Sequence, residues 1–253
     1  MMKLDEFLGK LRLAESCKTI YIKGCFGAPM NDKNKKRYTG PTALAYNRQR
    51  AAMINACSAD TFGFDCICLI KAALGLWNAD ASKTYGGTQV NKEANGISFG
   101  PDHVPDVGAD GIVKYLIDCT TDFSNIIPGE CVWMQGHVGV YVGNGKVIEC
   151  TPKWTNDVQY SNLGNIGYKI GNWRNWTKHG KLPWVEYNIA SPAENNAANK
   201  PNTSVEQYHV VVKGDTMSKI AKTYGTTLAK LKSLNPQVKD INKIYVGQTI
   251  RIK

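Results

Sequence analysis

Cys66 follows Asp65 directly and heads the run Ile67-Cys68-Leu69-Ile70-Lys71-Ala72-Ala73-Leu74, which is apolar almost without interruption. Consecutive Leu, Ile and Ala predict a helix buried on most of its faces, with Asp65 as its N-cap and Cys66 in its first turn. A thiol placed there faces unpaired backbone N–H groups and the positive end of the helix dipole. Both favour thiolate, which is the nucleophile. The competing reading of Cys66 is a small buried hydrophobe, as most unpaired cysteines are. What decides between them is whether a base can reach the sulfur, and the only common base for this work is histidine.

Four histidines are available: 103, 137, 179 and 209. His209 lies beyond a polar linker. His103 falls in a loop-like stretch and His179 in a segment rich in Trp and Lys, so both read as structural or surface residues. His137 opens the strand His137-Val138-Gly139-Val140-Tyr141-Val142, which ends at the turn signal Gly143-Asn144-Gly145. A base also needs an acceptor to orient it, and Glu149 on the returning strand is the candidate. With a two-residue loop, Val140 would face Glu149, and Glu149 would point away from His137. With a three-residue loop, Gly139 would face Glu149, and the two side chains would share a face diagonally. Asn followed by Gly suits the second form.

The chain has 253 residues, 43% of them hydrophobic and 21% charged, enough for one sizeable core and a small second domain. No apolar run of about 18 residues exists, so no membrane insertion is expected. The first eight residues contain two acids and no apolar h-region, which does not read as a signal peptide. The expectation is a protein made in a reducing cytoplasm, its eight cysteines free thiols. No Cys-x-x-Cys pair occurs, and neither a metal nor a cofactor is expected. The net charge is +10, and from Tyr208 onward eight Lys and one Arg stand against two Asp. Such a balance first makes a solvated surface and second attracts polyanions, nucleic acid or wall-linked phosphate polymers.

Along the chain, a helix is predicted at Lys3–Leu13 and a strand at Thr19–Lys23, with a loop from Gly24 to Pro41. A helix should then open at Pro41 and run through Ile54. A long surface loop is expected over Ala79–Gly108, and a helix capped by Asp110 over Gly111–Cys119. Strands follow from Cys131 to Thr151 and again within Lys153–Glu186. Residues 188–207 are rich in Ala, Ser, Asn and Pro with no aromatics, a linker composition. Beyond it, Tyr208–Val212, two short helices and Thr249–Ile252 read as β-α-α-β.

Asp65-Cys66, Pro128-Gly129-Glu130 and His137 through Lys146 together resemble the papain-like cell-wall cysteine peptidases of the NlpC type and their CHAP relatives. The likeness covers about residues 1–187. It implies an α+β fold, helices packed on an antiparallel sheet, and hydrolysis of amide bonds in peptidoglycan stem peptides, in the first place at D-glutamyl–diamino acid. In these roles Cys66 attacks, His137 serves as base and then acid, and Glu149 orients His137. The chain departs from the family in two respects: Ile67 and Cys68 replace its usual Ser-Gly, and Glu149 stands where the NlpC type usually has histidine. Val212-Lys213-Gly214-Asp215-Thr216, Ile220-Ala221, Asn235-Pro236 and Val246-Gly247-Gln248 resemble LysM over nearly its whole length. That resemblance implies binding of N-acetylglucosamine-containing glycan by Gly214, Asp215, Thr216, Met217, Ile241 and Asn242. The β-α-α-β order speaks against a small nucleic-acid-binding unit despite the charge.

The expected division is therefore a catalytic domain at 1–187, a linker at 188–207 and a wall-binding domain at 208–253. The expected activity is that of an endolysin, kept in the host cytoplasm and acting on the wall after release, with anionic wall polymers as a further candidate partner. An N-acetylmuramoyl-L-alanine amidase with the same triad, an acyltransferase of the same fold and a non-catalytic wall-binding protein are the alternatives.

Overall fold

The computed structural model describes residues 1–187, 208–211, 215–236, 238, 240–244 and 249–252. The stretch read as a linker lies outside the described residues. The chain divides into two compact units, Met1–Ile189 and Ala190–Lys253.

The larger unit begins with β1 (Met2–Lys3), α1 (Leu4–Ser16), β2 (Thr19–Tyr21), β3 (Phe26–Pro29), α2 (Asp32–Thr39), α3 (Ala45–Gln49), α4 (Ala51–Asn55), β4 (Phe62–Phe64) and α5 (Cys66–Leu74). It continues with β5 (Val90–Glu93), β6 (Gly96–Phe99), β7 (Val104–Pro105), β8 (Ile117–Thr120), β9 (Cys131–Met134), β10 (His137–Gly143) and β11 (Lys146–Thr151). It closes with β12 (Asp157–Leu163), β13 (Trp173–Arg174), β14 (Lys178–Lys181) and β15 (Val185–Glu186). The main sheet has seven strands in the order β13-β12-β11-β10-β9-β14-β8. Helices and a largely antiparallel sheet in separate layers make this an α+β fold.

Strand alternation sorts the sheet's two faces. Val138, Val140, Ile148, Cys150 and Val158 turn toward α1 and α5 and share one core with Phe7, Leu11, Leu69 and Ile70. On the other face Val132, Tyr141, Val147, Leu163 and Trp176 gather around Phe123. All nine residues of α5 are buried, and each large aliphatic among them contributes about 1.5–3 kcal/mol by leaving water. The placement of this helix against β10 is thus firmly specified.

Four local expectations are corrected. The Gly24–Pro41 stretch is not loop: β3 pairs with β4, and α2 is capped by Asn31, whose side chain accepts from the Asn34 N–H at 3.0 Å. The helix expected from Pro41 to Ile54 is split into α3 and α4 at Arg50. Arg50 leaves helical geometry and donates from its guanidinium to the Tyr21 carbonyl at 2.8 Å and to the Asn156 side chain. The Ala79–Gly108 loop contains a three-stranded antiparallel sheet, β5-β6-β7. Its first strand, Val90-Asn91-Lys92-Glu93, has little hydrophobic alternation to announce it. Over Gly111–Cys119 there is only a 3-10 turn, Ile112–Tyr115, before β8 pairs with β14. Asp110 caps nothing there; its carboxylate accepts from Trp133 Nε1 at 3.0 Å and Gly136 N at 2.7 Å. In each case a partner distant in sequence overrides local propensity.

In the terminal unit, β16 (Tyr208–Val210) pairs antiparallel with β17 (Thr249–Arg251) around α6 (Met217–Thr223) and α7 (Leu228–Leu234). Thr216 and Thr227 cap the two helices, accepting from Lys219 N at 3.2 Å and Lys230 N at 3.1 Å. Asn235 is completely buried, and its amide bonds the Leu231 carbonyl and both the N–H and the carbonyl of Arg251, each at 2.7 Å. The Asn-Pro pair thereby ties α7 to the final strand.

Candidate active site

The β10–β11 hairpin decides where Glu149 points. Its turn is Asn144-Gly145, with φ of 51° and 69°, the left-handed pair that a tight two-residue hairpin requires. By itself this turn would set Val140 opposite Glu149. Instead Gly143 pairs with Lys146, Tyr141 with Val147 and Val140 with Ile148. One extra residue is therefore accommodated in β10 between Tyr141 and Gly143, a β-bulge. The bulge shifts the register by one and brings Glu149 to the face of His137. The loop is the short form, while the side-chain arrangement is that expected of the long one.

His137 Nε2 and Glu149 Oε2 are 2.6 Å apart. Glu149 is completely buried, not a surface strand carboxylate. Its other oxygen accepts from the Ser161 hydroxyl on β12. Arg174 on β13 approaches both oxygens, with Nε at 2.9 and 2.8 Å and Nη2 at 2.7 Å. Burial alone would push the Glu149 carboxyl up, but hydrogen bonds from His137 and Arg174 outweigh it and hold the group below its ordinary range. Trp176 stacks on the imidazole, ring centroids 5.5 Å apart and planes 15° from parallel. Arg174, Ser161 and Trp176 were not identified from sequence. Nothing in their spacing signals the contact, which depends on strand order.

Gly139 lies between these groups. A Cβ there would sit 2.6 Å from Val147 Cγ1 and 3.2 Å from Trp176 Cη2. Gly139→Ala is expected to cost about 1–3 kcal/mol by overpacking and to lift Trp176 off His137. Thermal denaturation and the intrinsic tryptophan fluorescence check this.

Cys66 stands at the head of α5 as read. Asp65 caps the helix, accepting from Cys68 N at 2.7 Å, and its second oxygen accepts from Gly24 N at 2.7 Å. The expected low thiol pKa is corrected. Burial, reinforced by the nearby Asp65 charge, pushes Cys66 up to about 12 against the opposing backbone N–H groups of Val138, Ile67 and Cys66 itself. The dipole of a nine-residue helix contributes about 0.3–1 kcal/mol, too little to offset loss of water around an anion. The Val138 N–H at the sulfur places the thiol beside the start of β10, next in sequence to His137. Among the described residues no hydrogen bond joins Cys66 to His137.

The remaining histidines are engaged elsewhere. His103 Nδ1 contacts Glu93 at 2.7 Å on the β5–β7 sheet. His179 is buried between Glu130, 2.6 Å from Nδ1, and the Asp122 carbonyl, 2.8 Å from Nε2. The glutamate of Pro128-Gly129-Glu130 therefore anchors β14. In the terminal unit, His209 Nε2 contacts Asp215 at 2.7 Å. Asp215, Thr216, Met217, Ile241 and Asn242 line one cleft of about 160 Å³ with Ser218, Leu228 and Ile244. Gly214 lies outside the described residues. Among the described residues, no cluster of three or more His, Cys, Asp or Glu is arranged to hold a metal ion, and no helix is long and apolar enough to cross a membrane.

The chain is similar to the endolysin of Bacillus phage B103, 37% identical over 107 residues, which are 38% of this chain and 41% of that protein. It is also similar to the probable peptidoglycan endopeptidase LytE of Bacillus subtilis, 54% identical over 43 residues, 17% of this chain and 12% of that protein. The chain thus spans well under half the length of the curated relatives it matches. Among solved structures, NlpC1 from Trichomonas vaginalis aligns with 70% of this chain and 44% of its own, at 16% identity and a TM-score of 0.36. Residues 209–253 match the LysM domain family, and their β-α-α-β order with two capped helices is the order read from the sequence. The terminal part of this chain is a LysM domain.

Proposed function

We propose that the chain is a peptidoglycan hydrolase in which a Cys-His-Glu site of NlpC/P60 type, in residues 1–187, is tethered by residues 188–207 to a glycan-binding LysM domain at 208–253. The observation that carries this reading is the buried Glu149 holding His137 Nε2 at 2.6 Å, with Cys66 at the head of a helix packed on the same strand. Nε2 is occupied, so Nδ1 is the nitrogen left to take the thiol proton. With the thiol raised to about 12, the resting site holds Cys66 protonated, and proton transfer accompanies attack rather than preceding it. Catalytic hydrogen bonds absent from a free enzyme form when substrate closes the site.

The sulfur attacks the amide carbon, and the Cys66 backbone N–H holds the developing oxyanion. His137 then protonates the leaving amine, and water, deprotonated by the same imidazole, hydrolyses the thioester. The substrate is the stem peptide, cut at D-glutamyl–diamino acid; the muramoyl–L-alanine bond is the second choice. Lys23 and Arg37 border a cleft of about 310 Å³ beside the Gly24 turn, and neither makes an ion pair among the described residues. They suit an acidic group, on the substrate or on an anionic wall polymer. The LysM domain supports binding to N-acetylglucosamine-containing glycan, and an endolysin's course, from host cytoplasm to wall, fits the phage relative. The test is digestion of purified peptidoglycan followed by mass spectrometry, in which a new amino terminus names the bond. Intact peptidoglycan after prolonged digestion would refute the reading.

A further inference from the structure

Glu149 has more partners than an orienting carboxylate needs. Its side chain is completely buried, and that of Arg174 is 12% exposed. Arg174 Nη2 also donates to Thr151 Oγ1 at 3.1 Å, and its guanidinium lies 4.7 Å over the Trp154 ring and 5.7 Å from that of Trp176. Besides the carboxylate, the guanidinium is thus engaged by one hydroxyl and two aromatic rings. The groups acting on Glu149 are the His137 imidazole and the Arg174 guanidinium; Ser161 and Thr151 are neutral hydroxyls.

Which nitrogen of His137 carries the proton follows from the charge of Glu149. An anionic Glu149 can only accept, so the imidazole must carry its proton on Nε2 and leave a lone pair at Nδ1. A buried Glu149 without a cation takes up a proton instead. The carboxylic acid then donates to Nε2, the imidazole proton moves to Nδ1, and no lone pair faces the thiol. Both states satisfy the 2.6 Å contact, so the contact alone does not choose between them. The neighbouring cation does.

We propose that Arg174 is a positioning residue that sets the tautomer of His137 by keeping Glu149 an acceptor. This rests on the hydrolase reading of Cys66 and His137. No atom of Arg174 touches substrate in this assignment; it acts through Glu149 alone.

The test is the imidazole 15N shifts of His137 in the full chain, read without substrate at neutral pH, together with kcat and KM on a soluble muropeptide. Wild type and Arg174→Lys, which keeps the charge, are expected to show Nε2–H. Arg174→Gln, which keeps donors but loses the charge, is expected to show Nδ1–H, with kcat at least about tenfold lower and KM little changed. Nε2–H in Arg174→Gln overturns the proposal even if kcat falls, because a purely structural role predicts that combination. If Arg174→Gln does not fold, Arg174→Lys carries the test, and Nδ1–H in that variant overturns it. A wild-type chain with Nε2–H that cuts no muropeptide fails the hydrolase reading and leaves the tautomer assignment in place.

Discussion

Cys66→Ala is expected to abolish release of new amino termini from peptidoglycan while binding to whole walls stays at the wild-type level. The sulfur is the only atom of the proposed site able to form the acyl intermediate, and the proposed glycan-binding residues lie in residues 208–253. Alanine removes one buried sulfur from a 5% exposed position, a change a folded helix tolerates. Cys68→Ala is the control. Cys68 is equally buried and only two positions along α5, but a two-residue step turns it about 200° around the helix, and its variant should keep most activity. Activity surviving in Cys66→Ala and lost in folded Cys68→Ala would move the nucleophile.

The second large effect is at Glu149. Glu149→Gln can still bond an imidazole nitrogen, but it removes the charge that steadies the imidazolium. Activity should fall about 10²-fold or more, by comparison with triad carboxylates generally. Stability should fall too, since Arg174 keeps its buried charge and loses its partner; breaking such a pair costs about 3–5 kcal/mol. The two losses separate by pH. The native carboxyl titrates below its ordinary value. Its contribution to stability is therefore complete above the unfolded value of about 4.3 and is lost as pH falls through the native one. The Tm gap between wild type and Glu149→Gln should narrow below about pH 4, while the activity gap at neutral pH is unaffected by that titration. A Tm gap that stays constant with pH would mean that the Glu149 charge does not stabilise the fold.

What the sequence determined by itself was local. The Asp65 cap and the apolar run after it specify α5 because capping and burial act over one or two turns. Gly143-Asn144-Gly145 marks the hairpin turn, though not its two-residue length, because few residues tolerate positive φ. The two short helices of the LysM domain are legible from the spacing of Met217, Ile220, Ala221 and Tyr224 and of Leu228, Leu231 and Leu234. What only the tertiary structure decided was long-range. The bulge between Tyr141 and Gly143, which has no local signature, sets the face of Glu149. Strand order brings Arg174 to a carboxylate 25 residues earlier in the chain, and no periodicity encodes a neighbour across two strands. The thiol state of Cys66 likewise follows from burial: the helix N-terminus was visible in the sequence, but the packing around it, which outweighs the dipole, arises only when α5 is laid against the sheet.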